Sequence, residues 1–231
     1  MAQGHISQVI VRKDLITKKT KNKIMLDTLQ KEYGGMNHIM IDVETVAKND
    51  TPIMPQISAM QFCPLTGELG KSFDIRIDMQ SAQDAGLGID VSTVTWWLQQ
   101  SQDAKNTVFF NDKQQYIEVH EAFRQFLNWL TSVAPFGDKS QLKVWGNGPS
   151  FDTAKVRAVY KKLGYTVEPW AFYNERCVRT ISALNGNYKK ETVFIGTKHD
   201  GLADCKHQIT YIHSVFQDIC EALAASINNK P

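Results

Sequence analysis

Four carboxylates and one imidazole, carried on three short segments, have the types and spacing that metal-assisted hydrolysis requires. Asp42 and Glu44 stand two apart at the end of an apolar run, and a lone acid closes Gly146-Asn147-Gly148-Pro149-Ser150-Phe151-Asp152. His199 and Asp204, with four residues between them, open an amphipathic stretch. Two divalent cations about 3.5–4 Å apart need that many oxygen ligands, and they can clamp the attacking and leaving oxygens of a phosphodiester displacement. The histidine can take the proton of an attacking water. Taken singly, each piece has a plainer reading: Asp-x-Glu is common at strand ends, an Asp at a helix start is usually a cap, and a lone loop histidine is usually solvated. Their order, with suitable elements between them, points to one site.

The elements that must position these groups follow from apolar periodicity. His38 to Val43, Gln56 to Cys63 and Ser72 to Asp78 read as three strands of a meander, with a turn at Pro64-Leu65-Thr66-Gly67. Ser92 is expected to cap a helix carrying Trp96, Trp97 and Leu98, and Tyr116, Val119, Phe123, Phe126, Leu127, Leu130 and Val133 mark a longer helix. Leu142 to Trp145 is a fourth strand, 150–163 a helix, and Leu202 onward a last helix with Ile209, Ile212, Phe216, Ile219 and Leu223. Residues two apart on a strand share a face, so Asp42 and Glu44 reach one cluster while Val43 packs behind. Asp152 starts a helix after a glycine-rich bend, and Asp204 lies in the first turn of the last helix with His199 on the loop before it. All three segments can converge at one end of a sheet.

The 231 residues suffice for one main domain, with a net charge of +2. No apolar run approaches the ~20 residues that cross a bilayer, so no membrane role is expected, and the cytoplasm is the expected compartment. Cys63, Cys177, Cys205 and Cys220 form no C-x-x-C pair and read as free thiols rather than a zinc ribbon or disulfide framework. Charge is uneven. Residues 1–35 hold seven basic side chains (Arg12, Lys13, Lys18, Lys19, Lys21, Lys23, Lys31) against three acids, net +4, leaving −2 for the rest. This basic extension reads as a solvated tail or a phosphate-binding arm, helical over 24–33 and ending at Gly34-Gly35, with the main domain from Met36 to Pro231. His5, His38, His120, His207 and His213 have no comparable constellation and read as surface or satisfied residues.

Asp42-Val43-Glu44-Thr45, Asp152 and His199-Asp200-Gly201-Leu202-Ala203-Asp204 resemble the three exonuclease motifs of the DEDD superfamily, in the subgroup whose last motif is His-x4-Asp. More narrowly, Ser92-Thr93-Val94-Thr95-Trp96-Trp97-Leu98-Gln99-Gln100, Trp145-Gly146-Asn147-Gly148 and Arg176-Cys177-Val178-Arg179-Thr180 are similar to the exonuclease VIII-like and exonuclease A-like proteins of bacteria and their phages. The resemblance runs from about Met36 to the end of the last helix. Cys177 departs from it, standing where relatives often carry an Asp.

The resemblance implies an α/β, ribonuclease H-like fold with a mixed five-stranded sheet flanked by helices, and 3′–5′ exonuclease activity on nucleic acid with a free 3′ end, DNA favoured over RNA. It implies that Asp42 bridges two cations, that Glu44 and Asp204 complete the site of one and Asp152 helps hold the other, and that His199 is the general base. Mg²⁺ or Mn²⁺ suits such an all-oxygen, partly hydrated site. Thr45 would lie beside the terminal nucleotide, with Asn147 among the substrate-binding residues; Trp96 and Trp97 read either as core or as a stacking wall, and Arg179 as a loop anchor or phosphate contact. Relatives admit a homodimer, and residues 1–35 a protein partner. The reading from another class is a non-catalytic nucleic-acid-binding or docking module on the same fold. Such modules typically lose an acid, and none is missing here.

Overall fold

The first strand, β1 (His38–Glu44), is buried on both faces, which is why its sequence is a near-continuous apolar run rather than an alternation. The computed structural model describes residues 17–110, 115–184 and 192–228. In it β2 (Gln56–Phe62) pairs antiparallel with β1, and β3 (Leu69–Ile77) antiparallel with β2, forming the expected meander. On the other side of β1 lie β5 (Lys143–Gly146) and β6 (Glu175–Cys177), both parallel. The two-residue β4 (Tyr116–Ile117) adds a sixth strand beyond β3, one more than the five expected, giving the mixed order β4-β3-β2-β1-β5-β6.

Helices cover both faces. Against one side lie α5 (Val119–Val133) and α6 (Asp152–Lys162), whose Phe123, Phe126, Leu130, Val156 and Val159 pack on Ile39, Ile41, Val43, Ile57 and Ile75. The short helices α2 (Met79–Asp84), α3 (Val91–Leu98) and α4 (Gln102–Phe109) connect β3 to β4. The opposite face carries α7 (Val178–Ser182) and α8 (Gly201–Asn228); Cys205, Ile209, Ile212 and Phe216 of α8 pack on Met40, Met60, Phe62 and Trp145. At 28 residues α8 is ~42 Å long. Among the described residues no helix is long and apolar enough to cross a membrane. All four cysteines are free.

Helix α1 (Lys18–Tyr33) begins six residues earlier than its apolar spacing suggests, because Thr17 caps it: the Thr17 hydroxyl accepts from the Thr20 N–H at 3.2 Å. It packs along the far end of α8, with Tyr33 and Phe216 rings 4.4 Å apart and Asn22 hydrogen-bonded to Ser226. His5, Arg12 and Lys13 lie outside the described residues. His38 ties α1 to the sheet. A backbone carbonyl can only accept and an indole N–H only donate, so His38 Nε2–H donates to Glu32 O (3.1 Å) and Nδ1 accepts from Trp145 (2.9 Å). Burial holds this neutral imidazole down, to about 3.

Two local expectations are corrected. Asp90, not Ser92, caps α3: its carboxylate accepts from the Ser92 N–H at 2.8 Å, so Ser92 already lies inside the first turn. Tyr116 belongs to β4 rather than to the long helix; its hydroxyl donates to Phe109 O at 2.6 Å, and α5 starts only after Glu118, whose carboxylate accepts from the Glu121 N–H.

Along the α8 side of the sheet, apolar residues give way to polar ones toward the C-terminal end of β1. There the cross-strand rows are Asp42–Ser58–Asp74 and Glu44–Gln56–Arg76. Ser58, Gln56 and the buried Arg76 all bond to the Asp74 carboxylate, at 2.6, 2.8 and 2.9 Å.

Candidate active site

The site assembles where β1 and β5, parallel neighbours, both end. Asp42 and Glu44 project from the α8 face of β1, while Val43 packs into the opposite core. Beyond β5 the chain bends through Gly146 to Gly148 and delivers Asp152 as the first residue of α6. A Cβ on Gly146 would stand 3.0 Å from the Asp152 Cβ, so a larger residue here would push on the acid that the bend delivers. Asp152 is not a cap. Its two oxygens accept from the backbone N–H groups of Val43 (3.3 Å) and Asn147 (2.7 Å), locking the turn to β1.

The third segment arrives with α8. Asp200 accepts from the Ala203 N–H, and Asp204 reaches back to accept from the His199 N–H at 2.9 Å. His199 takes a left-handed backbone conformation, φ 65°, an uncommon state for a non-glycine residue and held here by that bond. Gly201 sets α8 directly on β2: a Cβ there would stand 2.3 Å from the Ser58 hydroxyl.

The structure therefore brings together all five residues singled out for chemistry. Ligand oxygens of Asp42, Glu44 and Asp204 lie within 4.8 Å of one another. Asp152 lines the same cleft, of about 210 Å³, with Asn147, Phe151, Arg179, His199 and Gln208. Burial holds the Asp42 carboxyl well above the usual range, and the charges of Asp152, Glu44 and Asp204 add to the rise. Burial likewise raises Glu44 and Asp204 and pushes Asp152 up to about 6, in the last case against its backbone donors. His199 Nδ1 faces Glu44 Oε1 at 3.4 Å, and that contact raises the imidazole above its ordinary value. A cluster of mutually repelling acids is short of positive charge, and hard oxygen donors fit hard divalent cations such as Mg²⁺ or Mn²⁺.

The residues expected at the substrate divide. Trp97 is buried, donates its indole N–H to Thr45 O at 2.9 Å, and touches His199 edge-on with ring centroids 5.4 Å apart. It is a support for Thr45 and the histidine loop rather than a free stacking face. Trp96, 44% exposed, stands 5.5 Å from the His199 ring and presents open surface. Thr45 is buried beside Glu44, and exposed Arg179 donates to the Asn147 side-chain oxygen at 3.3 Å. Sequence reasoning passed over Phe151, exposed at the cleft, and Gln208, which donates to Asp42 Oδ1 at 2.8 Å. Gln208 follows Asp204 by one helical turn, so its face was readable; its contact with β1 was not.

A mixed sheet with helices on both sides, and an acid cluster with one histidine where its central strand ends, define a DEDD-type 3′–5′ exonuclease of the ribonuclease H-like fold. The chain belongs to the family of the 3′-5′ exoribonuclease Rv2179c-like domain, whose model matches residues 37–216. It is similar to the exodeoxyribonuclease of Enterobacteria phage T4, 26% identical over 203 residues that cover 75% of this chain and 86% of that protein. Among solved structures, the nuclease domain of 3′hExo, a DEDDh family member bound to rAMP, superposes with a TM-score of 0.54 at 14% identity, covering 80% of this chain and 93% of that one. Pop2p of S. pombe, in a form with Mg²⁺ and Mn²⁺ bound, gives 0.51 at 11% identity, covering 85% and 89%. These two likenesses establish the fold.

Proposed function

We propose that this exonuclease uses Asp42, Glu44, Asp152 and Asp204 to hold two divalent cations, Mg²⁺ or Mn²⁺, with His199 as general base. The observation that carries the reading is the convergence of four acids, each held above its ordinary range, in one cleft. Bound cations would supply charge to the scissile phosphate and acidify a water there. The chain's own groups do the rest. His199 turns Nδ1 to Glu44, Nε2 has no hydrogen bond from the described residues and can accept a proton, and the Trp96 and Trp97 edges fix its ring. Thr45, Trp96, Asn147 and Arg179 border the place for the 3′-terminal nucleotide, with Trp97 acting through Thr45.

DNA is the favoured substrate because the phage T4 relative is an exodeoxyribonuclease, whereas the family description names an exoribonuclease. The basic N-terminal part of α1, through Asn22, packs near Ser226, more than twenty residues along α8 from Asp204, or ~33 Å away. That distance favours docking, or a contact with nucleic acid remote from the scissile end, over a role in the catalytic pocket. One degradation assay with Mg²⁺ or Mn²⁺ tests the proposal, using end-labelled single-stranded DNA, duplex DNA and RNA. Mononucleotides should leave from 3′ ends, a 3′-phosphate should stall the enzyme, and closed circles should resist; cleavage of a single-stranded circle as fast as a linear strand would show an endonuclease.

A further inference from the structure

We propose that Gln208 is a positioning residue for the cation site: its amide N–H₂ fixes the Asp42 carboxylate, and its carbonyl oxygen accepts a hydrogen bond from a water of a bound cation's hydration shell. The inference rests on the cation-binding reading above and extends it to a residue outside the four acids and the histidine.

Three observations carry it. Gln208 Nε2 donates to Asp42 Oδ1 at 2.8 Å, and the second carboxylate oxygen has no hydrogen bond from the described residues. Gln208 is only 4% exposed, and its Oε1 is buried with no partner among the described residues. The side chain lines the same cleft as Asp42, Glu44, Asp152 and Asp204. The ionised carboxylate that would bind a cation can only accept, so the amide then turns its N–H₂ toward Asp42, and Oε1 is left as an acceptor with no donor among the described residues. Buried polar groups are normally paired, so an orphan acceptor in a cation cleft calls for a donor supplied with the ligand. A hydrated divalent cation brings one: Mg²⁺ keeps several of its waters when protein carboxylates bind it.

The backbone beneath Gln208 is held in place. Cys205 and Ile209 are buried against β1 and β2, and Gly201 sits on Ser58, so this turn of α8 cannot slide without opening the sheet contact. Gln208 stands four positions after Asp204, which puts the cation acid and the amide on one face of the helix. Without the amide, Asp42 would be free to rotate away from the other three acids, whose repulsion it feels.

The test is a direct Mn²⁺ titration of the full chain without substrate, following free Mn²⁺ by electron paramagnetic resonance, alongside the Mg²⁺ dependence of turnover. Gln208→Met keeps the volume and removes both polar groups; Gln208→Asn keeps an amide but shortens it by one carbon, so it serves if the first variant does not fold. Either should bind Mn²⁺ roughly 10–100-fold more weakly, the usual effect of removing a group that orients a metal ligand. Raising Mg²⁺ should restore most of the turnover, which a merely structural defect would not allow. Affinity within about twofold of the unaltered chain, or turnover still low at saturating Mg²⁺, would overturn the proposal. If the unaltered chain itself binds no Mn²⁺, the cation-binding reading fails instead, and the two failures are thereby distinguished.

Discussion

The two ends of the β1–α8 interface are built from the same strand and the same helix, yet they obey opposite rules. At one end Met40, Met60, Phe62 and Trp145 meet Ile209, Ile212 and Phe216, and the buried histidine there, His38, is neutral with both ring nitrogens bonded. At the other, one helical turn before Ile209, the helix faces Asp42, Glu44 and Asp152 with a fourth acid of its own, and burial raises every one of them. The first end lowers free energy by removing apolar surface from water. The second raises it, through like charges held close in a low-dielectric setting, and is tolerated because the apolar end holds α8 down. Stability and chemistry are thus segregated along one helix, and substitutions at the two ends should separate them.

The largest effects should fall on activity at the polar end. Asp42→Asn keeps an oxygen that can accept from Gln208 and removes one carboxylate of the proposed cation site. Turnover should drop below detection while the thermal midpoint of the metal-free protein stays level or rises. Ile212→Ala at the other end should do the reverse, lowering unfolding free energy by about 2–5 kcal/mol with turnover of the folded protein little changed. Near-normal turnover by Asp42→Asn with Mg²⁺ would break the two-cation assignment; a large loss of turnover in folded Ile212→Ala would break the segregation.

His199 is the next largest. His199→Ala should reduce turnover by roughly 10²–10⁴-fold, the usual share of a general base, with Mn²⁺ affinity retained. In the metal-free protein the Glu44 contact raises the imidazole above its ordinary value, so a nuclear magnetic resonance titration should find it there. Cations that engage Glu44 remove that partner and add positive charge, and both changes favour the neutral ring. The rate should therefore rise with pH through a midpoint at or below ~6.5 and then level off. Lost Mn²⁺ affinity, with the pH profile of the residual activity unchanged, would make His199 a ligand or a structural residue.

How far this division could be read in the sequence depends on how local each signal is. Asp42 and Glu44 were legible because a two-residue spacing fixes their common face, and Asp204 because it opens a long periodic helix. Gln208 was not, since only the packing of α8 across β1 brings it to Asp42. The split between Trp96 and Trp97 also needed the fold: adjacent positions on one short helix cannot tell which ring is covered until Thr45 is placed beside it. β3 begins at Leu69, three residues before its expected start, because its first residues are solvent-exposed and carry no alternation. β4 has two residues, too few for any period, and Tyr116 was in phase with the helix that follows. Strand count and the helix start were missed for that reason, while the site they surround was not.

The smallest effect, and the finest test of the segregation, is the pH dependence of stability in metal-free protein. At the polar end, folded Asp42 keeps its proton at pH values where the unfolded chain, with an ordinary value of 3.8, has released it. The folded state then holds more protons, so this end loses stability as pH rises above that value. At the apolar end His38 is depressed from 6.5 to about 3, so the unfolded chain holds the extra proton between those values and stability is lost as pH falls through that window. Other carboxylates, such as Glu32 with Lys143, are lowered and slope the same way as His38, so the polar end must be isolated by difference. The thermal midpoint of Asp42→Asn minus that of the unaltered chain should grow between pH 4 and pH 7. A change of about 2–4 °C corresponds to roughly 1 kcal/mol for a chain of this size. Adding Mg²⁺ to the unaltered chain should offset the gap, since cations bind the ionised acids of the folded state. A difference independent of pH, or one that Mg²⁺ leaves untouched, would mean that the acids at this end are not held against one another.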